Sequence, residues 1–298
     1  MIKNLIKTIK DNNYNNLVIK GHDNTDCDSF ISCLLLKEFL EKNGIYSRIV
    51  ITDNKIQKDT YEIIKETLHI DMNQYKDKIN EKDNLILVDH YEEINLKNKI
   101  VGCIDHHPTE KEIKYDYYIN MNSSSCGKLI FNLVSALEEI NISKDFLYKV
   151  IISLYMDPCR FKSTKTLKSD ELWSRIICKT FNFNEEHLYE IGLGLTDMND
   201  NIEHIINNGR KEYVFNNRKI KSSYIQIDKE YNIQKYIDYI HNNLNDYYLW
   251  IFLETNMSTN TQKVHYITNN GYYCKYNEKI LSRGKDIIPE VEKYINKL

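Results

Sequence analysis

The sequence predicts an α/β protein: a mainly parallel sheet with flanking helices, followed by a smaller C-terminal α/β domain with a mixed sheet. Three observations carry this expectation. Apolar runs of strand length alternate with segments of helical spacing through residues 16–156, the pattern of strands joined by crossover helices. Acidic and imidazole side chains recur at the ends of those runs, where open α/β sheets place their ligands. From residue 211 the texture changes to strand-like runs joined by turn residues.

Taken in order, the opening MIKNLIKTIKDNNYNN reads as a short amphipathic helix. It has no continuous apolar core or small-residue cleavage signal, so it does not read as a secretory leader. NLVIK (16–20) is a strand, and SFISCLLLKEFLEKNG holds apolar residues at helical spacing until Gly44. Strands are expected at 46–52, 84–89 and 100–105, with a helix at 57–69. The unbroken apolar run at 85–88 fits a sheet interior covered on both faces. Helices follow at 125–140 and 145–156, then a helix-rich stretch at 168–208. KEYVF and KIKSSYIQI flank the turn residues Asn216 and Asn217. A helix at 232–243 and strands near 247–253 and 261–268 complete the second domain. The boundary falls between 190 and 197, dividing 1–192 from 193–298.

A chain of 298 residues suffices for one large domain or two smaller ones. Its formal charge of -3 argues against a broad nucleic-acid surface. Seven dispersed cysteines without a CxxC pair speak against a disulfide framework or a thiolate zinc site. No run approaches the ~18–20 apolar residues needed to span a bilayer, so a cytoplasmic location is expected.

The informative pattern lies in the acids and histidines. GHDNTDCDSF puts His22, Asp26 and Asp28 just beyond the first strand. Asp89 ends LILVD, Asp105-His106-His107 ends VGCIDHH, and Asp157 follows VIISLYM. Four carboxylates gathered at one rim would repel each other, and divalent cations would remove that conflict. Oxygen and imidazole donors favour Mn²⁺, with Co²⁺, Fe²⁺ or Zn²⁺ as alternatives and Mg²⁺ suited to an oxygen-rich position. Two such ions sharing a water would prepare it for in-line attack on phosphorus. Blander roles compete: Asp26 as a helix cap, His90 as a supporting or surface residue, and Asp105 as the group orienting His106 through its other ring nitrogen.

In GHDNTDCDS, LILVDHYE, GCIDHH, SLYMDPCRFKS and LSRGKDIIP, in that order, the chain resembles the DHH phosphoesterase superfamily. It is most similar to the branch of manganese-dependent, family II inorganic pyrophosphatases and related exopolyphosphatases. The resemblance implies a DHH-like catalytic domain at 1–192 and a DHHA2-like substrate-binding domain at 193–298. It implies that His22, Asp26 and Asp89 hold one of two Mn²⁺ ions (or Co²⁺), while Asp28, Asp89, His106 and Asp157 hold the other. Asp89 would bridge, and His107 would contact the electrophilic phosphate. Pyrophosphate or a short polyphosphate would arrive with a further Mg²⁺, and no covalent protein nucleophile would be needed.

The same resemblance puts Lys211, in NNGRKEYVF, and Arg283, in LSRGKDIIP, at phosphate-binding positions. The family passes from that Arg directly into Lys, whereas Gly284 intervenes here before Lys285. Ser124 and Ser125, in SSSCGK, are candidates for phosphate contact or for helix capping. Tyr91 stands where the pyrophosphatase pattern has Asn, and Pro158 follows Asp157. A homodimer paired through the N-terminal domains is also implied. The expected activity is hydrolysis of pyrophosphate to two phosphates. The alternatives are exopolyphosphatase or other small-phosphoanhydride hydrolysis, and a phosphate-responsive regulatory protein with weak or no turnover.

Overall fold

The computed structural model describes residues 1–52, 56, 58–91, 96–109, 111–137, 141–191 and 194–297. The chain divides into two units, Met1–Phe161 with Thr166–Gly192, and Lys162–Lys165 with Leu193–Leu298. The expected junction at 192–193 lies outside the described residues, as do position 57 and the 138–140 tail of the helix expected over 125–140.

The first unit contains α1 (Lys3–Asp11), β1 (Leu17–Lys20), α2 (Cys27–Lys42), β2 (Ser47–Ile49), α3 (Lys58–Leu68) and β3 (Asn84–Val88). It continues through β4 (Lys99–Asp105), β5 (Tyr117–Asn120), α4 (Cys126–Ser135), α5 (Lys144–Met156), α6 (Lys168–Phe181) and α7 (Glu185–Ile191). The strands form one sheet in the order β2-β1-β3-β4-β5, and every pairing is parallel. Side-chain alternation divides the core between its faces. Ile19, Ile86, Val88 and Ile104 meet apolar residues of α1 through α5. Val18, Leu85, Leu87 and Cys103 form a thinner layer closed by Ile79, Leu96, Tyr91, Tyr115 and Tyr118. Among the described residues no helix contributes to that second layer. The apolar run at 85–88 is therefore buried on both faces, but tyrosines and loop residues form one cover.

The helix starts follow from local chemistry. Asp26, Ser125 and Ser143 each accept a hydrogen bond from a backbone N–H three residues on, closing the open first turns of α2, α4 and α5. Short β5 is not legible in the sequence, because its four residues are mostly half-buried and carry no clear alternation.

The second unit contains α8 (Ile202–Ile206), β6 (Lys211–Phe215), β7 (Arg218–Ile227), α9 (Gln234–Asn242) and β8 (Leu249–Asn256). Then come β9 (Thr261–Thr268), β10 (Gly271–Asn277), a π turn at Arg283–Ile287 and α10 (Ile288–Ile295). Its sheet runs β10-β9-β8-β7-β6. The β7–β8 pair is parallel and the rest antiparallel, the mixed sheet expected. Asn216 and Asn217 have φ of 45° and 58°, as a two-residue turn between twisted strands requires. Trp250 and Phe252 face α9, while Leu249, Ile251 and Leu253 face α10. The exposed edge strand β10 and helix α10 lie outside the sequence expectation.

Among the described residues no helix is long and apolar enough to cross a membrane. Gly209 has φ +55°, and a Cβ there would lie 1.9 Å from Tyr224 Cε1. Replacing Gly209 with Ala should lower stability in urea unfolding by ~1–3 kcal/mol, because backbone strain and ring displacement coincide. An unchanged unfolding midpoint would show that Tyr224 moves aside freely.

Candidate metal centre

The acids and histidines meet because four elements end together. Asp89 follows β3 in a left-handed conformation, φ 62°, which Asp tolerates better than most residues. Its N–H donates to the Ile104 carbonyl at 3.0 Å, tying it to β4. Asp89 is 3% exposed, and its two oxygens face different imidazoles. Oδ2 lies 3.4 Å from His22 Nε2, and Oδ1 lies 3.2 Å from His106 Nε2. Asp26 Oδ2 is 3.2 Å from His22 Nε2, while Asp28 Oδ2 and Asp157 Oδ2 are 3.8 and 3.6 Å from His106 Nε2. Asp157 reaches the group from the C-cap of α5.

Three sets of ligating atoms result: His22, Asp26 and Asp89; Asp28, His106 and Asp157; and Asp89, His106 and His107. In each, the candidate donor atoms lie within 4.8 Å of one another. Asp26 caps α2 and also belongs to a candidate ligand set. Its Oδ1 accepts the Ser29 N–H at 3.0 Å, leaving Oδ2 toward His22. Asp28 is fixed from the first turn of α4. The Cys126 and Gly127 N–H groups donate to its two oxygens at 2.7 and 2.9 Å.

The imidazole tautomers are set by carbonyl oxygens. His22 Nδ1 is 2.8 Å from the Asp23 carbonyl, and His106 Nδ1 is 2.9 Å from that of Ser123. Both Nδ1 atoms donate, so each ring in its protonated form also donates from Nε2 to carboxylate oxygens, and in its neutral form turns an Nε2 lone pair toward them. That meeting of acceptors suits a cation. The carboxylates point the same way. Burial, Asp89 and Asp157 push the Asp28 carboxyl well above its ordinary range. Burial opposes ionisation of Asp89 too, yet His106 and His22 hold it well below the usual range. Burial and the neighbouring carboxylates keep the Cys27 and Cys126 thiols protonated, and neither joins a ligand set.

One expected contact is corrected. Asp105 does not hold the His106 ring; the Ser123 carbonyl does. Asp105 Oδ1 instead accepts the His106 backbone N–H and faces His107 Nδ1, each at 2.8 Å. His107 lies two residues beyond the end of β4, where the chain brings its ring back to Asp105. Burial works against the Asp105 anion, but His107 holds its carboxyl below the ordinary range. His90 is a supporting group: Nδ1 meets the Val88 carbonyl at 3.0 Å, and its ring stands edge-on to His22. Burial, aided by Lys20, pushes its imidazole down to about 3.

Ser124 and Ser125 lie at the base of α4 with their hydroxyls in structural use. Ser125 Oγ accepts the Lys128 N–H, and Ser124 Oγ accepts the Leu167 N–H at 2.8 Å. The Tyr91 ring packs with the second apolar layer, beneath Lys111. Lys211, Arg283 and Lys285 belong to the second unit. Lys211 opens β6. Arg283 donates to the Gly209 carbonyl and stacks over Tyr224. Ser282 caps the turn by accepting the Lys285 N–H.

Residues 16–156, within the first unit, match the model of the DHH family, N-terminal domain. The chain is 22% identical over 214 residues to Bacillus mycoides and Bacillus cereus proteins, each named "Probable manganese-dependent inorganic pyrophosphatase". That alignment spans 69% of this chain and 69% of each relative. A Methanococcus jannaschii crystal structure described as a family II inorganic pyrophosphatase superposes with TM-score 0.77 at 20% identity. It covers 94% of this chain and 99% of the other. An exopolyphosphatase-related protein of Bacteroides fragilis gives 0.51 at 14% identity, covering 90% of this chain and 82% of that one.

Gly127 is a positioning residue for Asp28. A Cβ there would lie 2.5 Å from Ser153 Oγ and 3.4 Å from Asp28 Oδ1. Gly127→Ala should weaken Mn²⁺ binding by ~10–100-fold, the usual cost of disturbing a ligand's support. Calorimetric titration with Mn²⁺ checks this, and an unchanged affinity would detach α4 from the site.

Proposed function

We propose that the protein hydrolyses inorganic pyrophosphate to two phosphates, using a pair of divalent cations held by His22, Asp26, Asp28, Asp89, His106 and Asp157. The observation that carries this reading is the division of Asp89: its two oxygens face His22 in one ligand set and His106 in another. One carboxylate so placed would serve two ions at once. Mn²⁺ fits the oxygen-and-imidazole donor set, and the Bacillus relatives carry the name "Probable manganese-dependent inorganic pyrophosphatase". Bound cations supply Lewis acidity and a water rendered nucleophilic near neutral pH.

The remaining chemistry belongs to the chain. Asp105 takes the Nδ1 proton of His107 in a hydrogen bond, so any second proton on that ring sits at Nε2. There it donates to a phosphoryl oxygen as charge develops. His107 is 26% exposed, open enough to meet a substrate. We assign phosphate recognition in the second unit to Arg283, whose planar fork suits phosphate, with Lys211 and Lys285 adding charge. A Mg²⁺ carried by the substrate would complete the neutralisation. Residues 1–192 are proposed as the catalytic domain and 193–298 as the substrate-binding domain. Hydrolysis of longer phosphoanhydrides is the second reading, favoured by Gly284, which separates Arg283 from Lys285 within the π turn.

A phosphate-release panel across Mn²⁺, Co²⁺ and Mg²⁺ should show pyrophosphate turned over fastest with Mn²⁺, ahead of tripolyphosphate and longer chains. Faster release from the longer chains would select the second reading. Tight binding of imidodiphosphate with no turnover under any metal would leave a regulatory binding protein. Asp89→Asn should lower kcat by more than ~100-fold, exceeding the ~10–100-fold typical of groups that merely support ligands. Lys285→Ala should stay within ~10-fold. Near-normal turnover by the Asp89 variant would remove the shared carboxylate from the mechanism.

A further inference from the structure

Arg160 is 5% exposed and lies three residues beyond Asp157. Its Nε is enclosed without a hydrogen-bond partner. The guanidinium carbon sits 4.2 Å from the ring centroid of Tyr189, and among the described residues no carboxylate pairs with it. Burial pushes its pKa down, and Tyr189 and Cys159 are the titratable neighbours acting on it. Other cations of the first unit with limited exposure are matched differently. Lys20 meets Asp23 at 2.8 Å, Arg48 meets Asp83 at 2.6 Å, and Lys128 lies 3.7 Å from Asp170.

An aromatic face offsets only part of the cost of enclosing a charge. The backbone that carries this side chain is held in place. The Arg160 N–H donates to the Tyr155 carbonyl at 2.8 Å, and the neighbouring Phe161 ring packs edge-on against Tyr155. Three peptide links limit the Cα separation of Asp157 and Arg160 to ~11 Å. The Arg160 backbone therefore lies at the same end of α5 as a candidate metal ligand.

We propose that Arg160 is an anion-binding residue that takes a phosphate oxyanion through its guanidinium fork, beside the metal centre and independent of Arg283. The identity of the anion rests on the proposed phosphoanhydride chemistry; the absence of a paired carboxylate does not. Two sources share this chemistry, the far phosphate of a bound chain and the phosphate released by hydrolysis.

The test uses the full chain without metal, and inorganic phosphate as the probe. Wild-type protein should gain thermal stability as phosphate is added. Arg160→Met should match or exceed wild type in phosphate-free buffer, since an apolar side chain there needs no counterion. It should lose the phosphate-dependent rise and bind phosphate at least ~10-fold more weakly by calorimetry. Binding within twofold of wild type would overturn the proposal, as would a less stable variant whose phosphate response is intact. If the Met variant does not fold, Arg160→Lys decides by the same affinity limits, because a lysine keeps the charge but not the fork. With Mn²⁺ restored, a raised KM for tripolyphosphate beyond that for pyrophosphate identifies the chain end as the ligand. Weakened product inhibition by phosphate at unchanged KM identifies the released product. Neither change would overturn the placement beside the metal centre. Phosphate binding through Arg160 without pyrophosphate turnover would overturn the activity and leave this site standing.

Discussion

The first unit is organised around an electrostatic conflict: carboxylates enclosed among lone pairs. Asp28 and Asp89 are almost fully buried, and Asp157 joins them at His106. Such a group is expensive to assemble in a medium that screens poorly. It persists because the parallel sheet delivers the ends of β1, β3 and β4 to one edge while α2, α4 and α5 converge on it. The left-handed turn at Asp89 shows the same constraint in the backbone. The chain adopts an uncommon conformation there, and the N–H bond to Ile104 holds it.

Backbone groups perform most of the orientation. Carbonyls of Asp23 and Ser123 fix two imidazoles, and N–H groups of Cys126 and Gly127 fix Asp28. These partners are not lost when a side chain is truncated, so the donor atoms inherit the rigidity of the sheet and of α4. The preference for hard donors follows from the same burial. Two nearby thiols stay protonated and outside the ligand sets, which leaves oxygen and imidazole to face a cation.

Much of this was legible in the sequence because the signals are local. Period-two and helical spacing located most strands and helices, and the strand-end acids and histidines named every side chain in the three ligand sets. What escaped depended on distant contacts. β5 and β10 are short or half-exposed, so their burial pattern lacks the alternation that marks a strand. The sequence reading paired Asp105 with His106; both the pairing of Asp105 with His107 and the capture of His106 by Ser123 required the fold. Arg160 gave no signal, since sequence does not reveal that a charged side chain is enclosed.

The segment Lys162–Lys165 belongs with the second unit although its neighbours on both sides belong with the first. Ser163 bridges to Ile280, the Thr164 N–H donates to the Ile280 carbonyl, and the Thr164 hydroxyl bonds Asp286 in the turn that carries Arg283. The units are thus interleaved along the chain rather than strung end to end. A module excised at residue 193 would leave behind a splint for the turn that carries Arg283, and recombination with a related protein at that single joint would separate Lys162–Lys165 from the turn it braces.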